Sequence, residues 1–327
     1  MREICEICEE TGSFTIDFKN TWSPLFEDKK IIVCRACGFG RITPQIDQKQ
    51  VINFYTNVYR SKASPHHVDF SDYIPAPFVF RGRSFSQLLL SLQYLEAKEH
   101  YQILDVGAGL GRSYITAQEL LGDKFDFHAI EHDQKAINYY KRFLPRIQVC
   151  QDFSQFDGSL DLIILSHSLE HFDLDDMAKF FSDMHSALAD DGVIMIEVPH
   201  ADFRNSRYKD IRYKDTPHLS FFSLDSLKKL VEMNGFKICF LDTAGLPIEE
   251  AFAKRETPVG GMKSRLKKLL KGSWGYKYVS RFARQYSVNK KMREQAGGRF
   301  LRNPNFQYKG DRAVLRCVIR KSQFLIR

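Results

Sequence analysis

The chain has 327 residues, 43% of them hydrophobic, with a formal net charge of +8. That length supports one large core or two smaller ones, and no apolar run approaches the length of a membrane span. The charge is local: residues 254–309 hold 16 Lys and Arg against two acids, Glu256 and Glu294, leaving 32 bases against 38 acids elsewhere. An anionic partner is therefore expected at that segment rather than over the whole surface.

The residues from Met1 to Cys8 do not read as a signal peptide. Four of the seven cysteines form two close pairs, Cys5/Cys8 and Cys34/Cys37. This favours a reducing, cytoplasmic setting and a metal site over disulfides. The C-x2-C…C-x2-C spacing closes a tetrahedral Zn2+ site with no open position, and Gly38 permits the tight turn after the second pair. Phe14–Phe18 and Lys30–Val33 read as short strands between the pairs. A structural zinc ribbon is expected over residues 1–44.

A helical linker and lid is expected over 45–100. Gln45–Lys62 reads as a helix with Val51, Phe54, Tyr55 and Val58 on one face, and Tyr55 and Tyr59 lie four apart. Ser61–Phe80, with three prolines and His66-His67, reads as a loop covering a site. Arg83–Lys98 reads as a helix with a stripe of Leu88, Leu89, Leu92 and Leu95.

The stretch Gln102-Ile103-Leu104-Asp105-Val106-Gly107-Ala108-Gly109-Leu110-Gly111 is an apolar strand that breaks into a glycine turn, and Arg112–Leu121 continues as a helix. Glycines let the backbone approach a ligand closely. The spacing is G-x-G-x-G rather than the dinucleotide fingerprint, and the Asp105 carboxylate would repel a pyrophosphate but suit a cationic ligand. Phe125–Ile130 reads as a second strand ending at Glu131 and His132; Glu131 stands 20 residues after Gly111, where a ribose-binding acid is expected. Arg146–Cys150, followed by Asp152 and Phe153, reads as a third strand. Leu160–Leu165 is a fourth, running into Ser166-His167-Ser168-Leu169-Glu170-His171. Gly192–Pro199 is a fifth, after a turn at Asp190-Asp191-Gly192. Helices are expected at Gln134–Phe143 and Leu174–Leu188. Ser223 is a good N-cap for a helix ending near Asn234-Gly235. Phe236–Asp242 and Arg312–Arg320 read as the sixth and seventh strands.

Five of these segments, in this order, resemble the class I S-adenosyl-L-methionine (SAM) methyltransferases over roughly 101–245 plus the last strand at 311–327. The resemblance implies an α/β, Rossmann-like seven-stranded sheet whose last strand runs antiparallel next to the sixth. It also implies a SAM site made by Asp105, Gly107, Ala108, Gly109, Gly111, Glu131, His132, Asp152, Phe153 and Ser166. In that family the acid corresponding to Asp152 touches the adenine amino group and the next residue flanks the ring.

Methyl transfer to a hydroxyl needs an aligned nucleophile and a base, and histidine suits that role near neutral pH. His167, His171, His200 and His218 fall at or just after strand ends, where ligands sit in such sheets. His171 is expected to pack structurally within a helical turn. His218 and His200 are the preferred bases, and His167 is placed to touch cofactor or substrate. The segment Pro217-His218-Leu219-Ser220-Phe221-Phe222-Ser223, with the ribbon and the SAM core, resembles bacterial sugar and glycan methyltransferases. Sugar carbon methylators of that group often carry Glu before this His; here Pro217 stands there. O-methylation of a sugar or sugar-linked group on a nucleotide sugar or glycan acceptor is therefore expected, with C-methylation as an alternative.

Between the last two strands, 246–310 form a basic insertion. Gly261–Lys271 and Tyr276–Tyr286 read as basic amphipathic helices. A solvated hairpin, a peripheral membrane contact through 254–309, and binding of an anionic glycan, nucleotide diphosphate or RNA all fit this pattern. An RNA methyltransferase using ribbon and insertion is thus a second functional class, and a non-catalytic SAM-binding partner a third.

Overall fold

The computed structural model describes residues 4–17, 23–59, 61, 82–172, 174–209, 218–247 and 312–322. The expected lid at 61–80, apart from Ser61, and the basic insertion from 248 to 310 lie outside these residues, as does Pro217. No helix among the described residues is long and apolar enough to cross a membrane.

The N-terminal strands β1 (Ser13–Asp17), β2 (Lys30–Cys34) and β3 (Gly40–Thr43) pair antiparallel. Alternation in β2 sends Ile31 and Val33 inward, where they meet Phe26, Ile42 and Phe54. Asp47 caps α1 (Gln48–Asn53) by accepting from the Lys49 amide. The single helix expected over Gln45–Lys62 is shorter and loosens into a π turn at Phe54–Val58. The wider register stacks Tyr55 edge-on to Tyr59 and Phe54 edge-on to Phe26, at 5.2 and 5.3 Å between centroids.

After α2 (Gly82–Leu92), strands alternate with helices: β4 (Tyr101–Val106), α3 (Arg112–Leu121), β5 (Phe125–Ile130), α4 (Gln134–Phe143), β6 (Ile147–Cys150), β7 (Leu160–Ser166), α5 (Leu174–Ala187) and β8 (Leu188–Pro199). A short helix α6 (Ser206–Lys209), strand β9 (Ser220–Phe221), α7 (Leu224–Met233), β10 (Phe236–Pro247) and β11 (Arg312–Lys321) follow. The main sheet is ordered β10-β11-β8-β7-β4-β5-β6, with β8, β7, β4, β5 and β6 parallel and β11 inserted antiparallel between β8 and β10. This is the Rossmann-like seven-stranded sheet that the resemblance implies, with its last strand antiparallel next to the sixth.

Its central strands are apolar on both faces, as a strand covered on both sides must be. Leu104, Ile163 and Ile196 face α5 and α7 through Phe181, Met184, Leu227 and Leu230. Ile103, Phe127 and Met195 face α2, α3 and α4 through Leu88, Tyr114 and Tyr140. The Asp190-Asp191-Gly192 segment, expected as a turn, lies inside β8 at a register irregularity against β7. A Cβ on Gly192 would sit 2.7 Å from the Leu160 carbonyl oxygen, so glycine lets the strands pass closely there.

The two sheets are tied by β9. It belongs to the downstream chain yet pairs antiparallel with β3, Gly40 opposite Phe221 and Arg41 opposite Ser220. Ser223, the N-cap of α7, donates from Oγ to the Cys37 carbonyl. Arg204 donates to the Ala36 carbonyl and chelates Asp202 and Asp225. Gly38, at φ 75°, faces Arg204 so closely that a Cβ would lie 2.8 Å from its Nε.

One buried ion cluster crosses the sheet. Glu197 on β8 lies opposite Arg316 on β11, with Nε to Oε2 at 2.5 Å, and both are buried. Removing one partner strands a charge in the interior. Arg316→Met is expected to destabilise the fold by about 3 kcal/mol, read as a lower urea midpoint at unchanged slope. An unshifted midpoint would count against a structural role for this pair.

Candidate active site

The glycine turn joins β4 to α3. Gly107, Gly109 and Gly111 have φ of 74°, 57° and 63°, a region costly for a side chain. Space forbids one as well: a Cβ on Gly107 would stand 2.7 Å from Ser168 Oγ, and one on Gly111 2.6 Å from Leu144 Cδ1. Tyr140 donates to the Gly109 carbonyl at 2.7 Å, clamping the turn from α4. The Gly109 amide donates to Glu131 Oε2 at 2.8 Å, while Glu131 Oε1 accepts from the His132 and Asp133 amides. Glu131, at the end of β5, is thereby fixed next to the turn, and His132 after it is exposed. Ala108 is buried within the turn.

Asp105 is buried at the C-terminal end of β4. Burial pushes its pKa up to about 7, against a hydrogen bond from Ser113 and with a further push from Glu131. Asp152 is exposed after β6, and hydrogen bonds from the Ser154 hydroxyl and then its amide hold its pKa below the usual range. Phe153 turns inward against Phe180, 5.5 Å between centroids. Ser166, at the end of β7, accepts from Gln87 Nε2 on α2 at 2.9 Å.

The segment after β7 crosses the glycine turn, since Ser168 Oγ donates to the Val106 carbonyl. His167 is held at φ 60°, its amide donating to the Glu197 carbonyl. Its Nδ1 lies 3.3 Å from Glu170 Oε1 and its Nε2 3.3 Å from Glu197 Oε1. Burial works against charging this ring, but the two carboxylates outweigh it and raise its pKa. Glu170 is fully buried; burial would raise its pKa, yet His167, His171 and His218 bring it down to about 2. His218 Nε2 is 3.8 Å from Glu170 Oε1. His171 ends a 3-10 turn at Leu169–His171, with Nδ1 2.5 Å from the Tyr55 hydroxyl. His200, after β8, is buried with Nδ1 2.8 Å from the Tyr208 hydroxyl on α6.

The fold thus gathers His167, His171 and His218 around Glu170 at the strand ends, and sets His200 on a tyrosine. The sequence reading gave no role to Glu170, Glu197, Tyr55 or Tyr208. Glu170 carried a signal, an acid flanked by two histidines within five residues; the two tyrosines carried none, since their partners are distant in the chain.

The four thiols of Cys5, Cys8, Cys34 and Cys37 also converge, all within 4.8 Å of one another, with Cys5–Cys37 at 3.7 Å and Cys8–Cys34 at 3.6 Å. Four sulfurs about 2.3 Å from one Zn2+ lie about 3.8 Å apart on a tetrahedron, so the donor set and spacing fit that ion.

Comparison with known proteins adds the following. Residues 80–239 match the family model described as "Methyltransferase domain". An uncharacterized protein of Methanocaldococcus jannaschii is 27% identical over 197 residues, 59% of this chain and 77% of that protein. Among solved structures, a SAM-dependent methyltransferase from Archaeoglobus fulgidus aligns with TM-score 0.44 at 16% identity, over 74% of this chain and 95% of that one. The plantazolicin methyltransferase BamL aligns with TM-score 0.48 at 14% identity, over 84% of this chain and 95% of that one. At such similarity the structures do not bear on substrate. Residues 80–239 thus form a methyltransferase domain, carried on a Rossmann-like seven-stranded sheet of this order, and the protein is a methyltransferase.

Proposed function

We propose that this enzyme O-methylates a hydroxyl of a sugar or sugar-linked group on a nucleotide sugar or glycan acceptor, with a histidine taking the proton. The observation that carries the reading is the cluster of imidazoles and carboxylates at the strand ends, beside the glycine turn. The residues of that turn would hold SAM, which when bound would supply an electrophilic methyl group to an acceptor oxygen aligned in line with its carbon–sulfur bond, the bond's electron pair going to sulfur. Asp105 places a carboxylate below the cationic cofactor, and Glu131 stands where its ribose hydroxyls are expected. His167 lies between two carboxylates that raise its pKa against the effect of burial, and serves as an electrostatic neighbour rather than a base. His200 and His218 are the two rings that accept the hydroxyl proton, each oriented by a second group: Tyr208 for His200 and Glu170 for His218.

The cysteine cluster is read as a structural Zn2+ site. Its carbonyl contacts, from Cys37 to Ser223 and from Ala36 to Arg204, then anchor the segment that carries His218. Peripheral membrane contact through the basic insertion remains part of this reading, supported by its charge alone.

Three measurements test it. A screen of nucleotide sugars and glycans for S-adenosylhomocysteine release should find an acceptor whose turnover falls at least about tenfold in His200→Ala; inertness on every such acceptor would sink the substrate class. Second, calorimetry of SAM binding should show affinity falling as pH drops through about 7, where Asp105 takes up a proton. Asp105→Asn should bind about tenfold or more weakly at pH 8 and lose that dependence. The raised pKa also means that the fold without ligand loses stability as pH rises from 3.8 to about 7, and the full cost of the ionised form persists above that. The same variant should therefore melt higher than wild type at pH 8 without ligand. Third, Cys34→Ser should lose stoichiometric zinc on metal analysis and lower the melting temperature; full zinc retention would refute the site.

A further inference from the structure

Glu170 is an anomaly by the rules of protein interiors. Its side chain is 1% exposed, and neither carboxylate oxygen makes a well-aligned hydrogen bond among the described residues, although His167 Nδ1 stands 3.3 Å from Oε1. Around it stand two imidazoles: Glu170, His171 and His218 each present a ligand atom, all within 4.8 Å of one another. We infer that these three residues hold a divalent first-row transition-metal ion at the acceptor end of the site, distinct from the ion of the cysteine cluster.

The donor set selects the class of ion. Two imidazoles and one carboxylate suit Zn2+, Co2+, Fe2+ or Mn2+ rather than the all-oxygen shells of Ca2+ and Mg2+. Three ligands leave coordination positions open, as a site that receives a substrate oxygen requires. Metal–ligand bonds of about 2.1 Å set ligand atoms roughly 3.0–3.4 Å apart, so closing around an ion takes side-chain rotations of under about 2 Å. His218 Nε2 already lies 3.8 Å from Glu170 Oε1.

The surroundings have the form of an outer shell. The Tyr55 hydroxyl holds Nδ1 of His171 at 2.5 Å, and an Nδ1–H given to that oxygen puts the lone pair on Nε2. Backbone bonds fix the ligands against each other: the Leu219 amide donates to the Glu170 carbonyl at 2.9 Å, and Ser220 Oγ donates to the Phe172 carbonyl at 2.8 Å. His167 Nδ1 also faces Glu170, but its Nε2 has Glu197 at the same 3.3 Å, so the ring keeps a carboxylate partner when Glu170 turns to a metal. Arg83 and Arg316 face Glu197, not Glu170.

The purpose of this ion, though not its binding, rests on the methyl-transfer reading. An acceptor hydroxyl on the metal would be more acidic, and His218, as a ligand, would leave the proton to His200.

The test uses the full chain with its thiolate-bound zinc. Cobalt(II) is titrated in by calorimetry and by absorption. Wild type should take up one ion that shows no thiolate-to-cobalt charge-transfer band. Glu170→Gln and His218→Ala should each weaken it by tenfold or more, and Tyr55→Phe by roughly tenfold. SAM binding, measured on the same samples, reports that the variants are folded; His218, less buried than Glu170, keeps the test open if Glu170→Gln does not fold. Uptake of no cobalt beyond the cysteine site at millimolar concentration, or unchanged uptake in both variants, would overturn the proposal. Turnover of an acceptor by a chain that binds no such ion would likewise overturn it, while leaving the methyl-transfer reading and His218 as a base. Cobalt bound at these residues supports the site whatever an acceptor screen finds.

Discussion

The pairing of two residues, Gly40–Arg41 with Phe221–Ser220, is the constraint on which the rest of the structure depends. It makes one sheet out of an N-terminal ribbon and a strand from the methyltransferase half. The ribbon has little core of its own, and its inner face is completed by Ala201, Phe203, Tyr208 and Leu219 from the other side. In return, β9 holds the segment beginning at His218 against the turn after β7. Short strands pair weakly alone; here Ser223 and Arg204 reinforce the junction through the Cys37 and Ala36 carbonyls.

The second constraint is steric and lies at the glycine turn. Ser168 occupies the space a side chain on Gly107 would need, and Leu144 that of Gly111. Close approach of the post-β7 segment brings His167 and Glu170 beside the glycine turn. The buried charges there are arranged in a chain: Arg316 and Arg83 on Glu197, Glu197 on His167, His167 on Glu170, and Glu170 facing His218. Each carboxylate is thus held below its usual pKa range by neighbouring arginine or histidine groups, which is how a dense polar cluster survives burial.

Much of this was legible in the chain. The strands of the main sheet show as apolar runs because both of their faces are covered, and the glycine turn shows because positive φ and lack of space leave no other residue type. The cysteine spacing placed four thiols together because a C-x2-C turn fixes each pair locally. Less legible were boundaries set by neighbours. The helix from Gln45 breaks its register where Phe54 meets Phe26, and β8 starts at Leu188 because Gly192 lets it slide past Leu160.

The sequence by itself determined the fold class, the glycine turn and the acids that flank it, since each is a local pattern of hydrophobicity and backbone freedom. Only the tertiary structure decided which histidines work together. His171, read as a packing residue, meets Tyr55 across 116 positions of sequence, and His218 meets Glu170 only because β9 pairs with a ribbon strand some 180 residues upstream. No periodicity encodes such contacts; they arise from burial of the ribbon's open face against the core, a long-range term that local sequence does not carry.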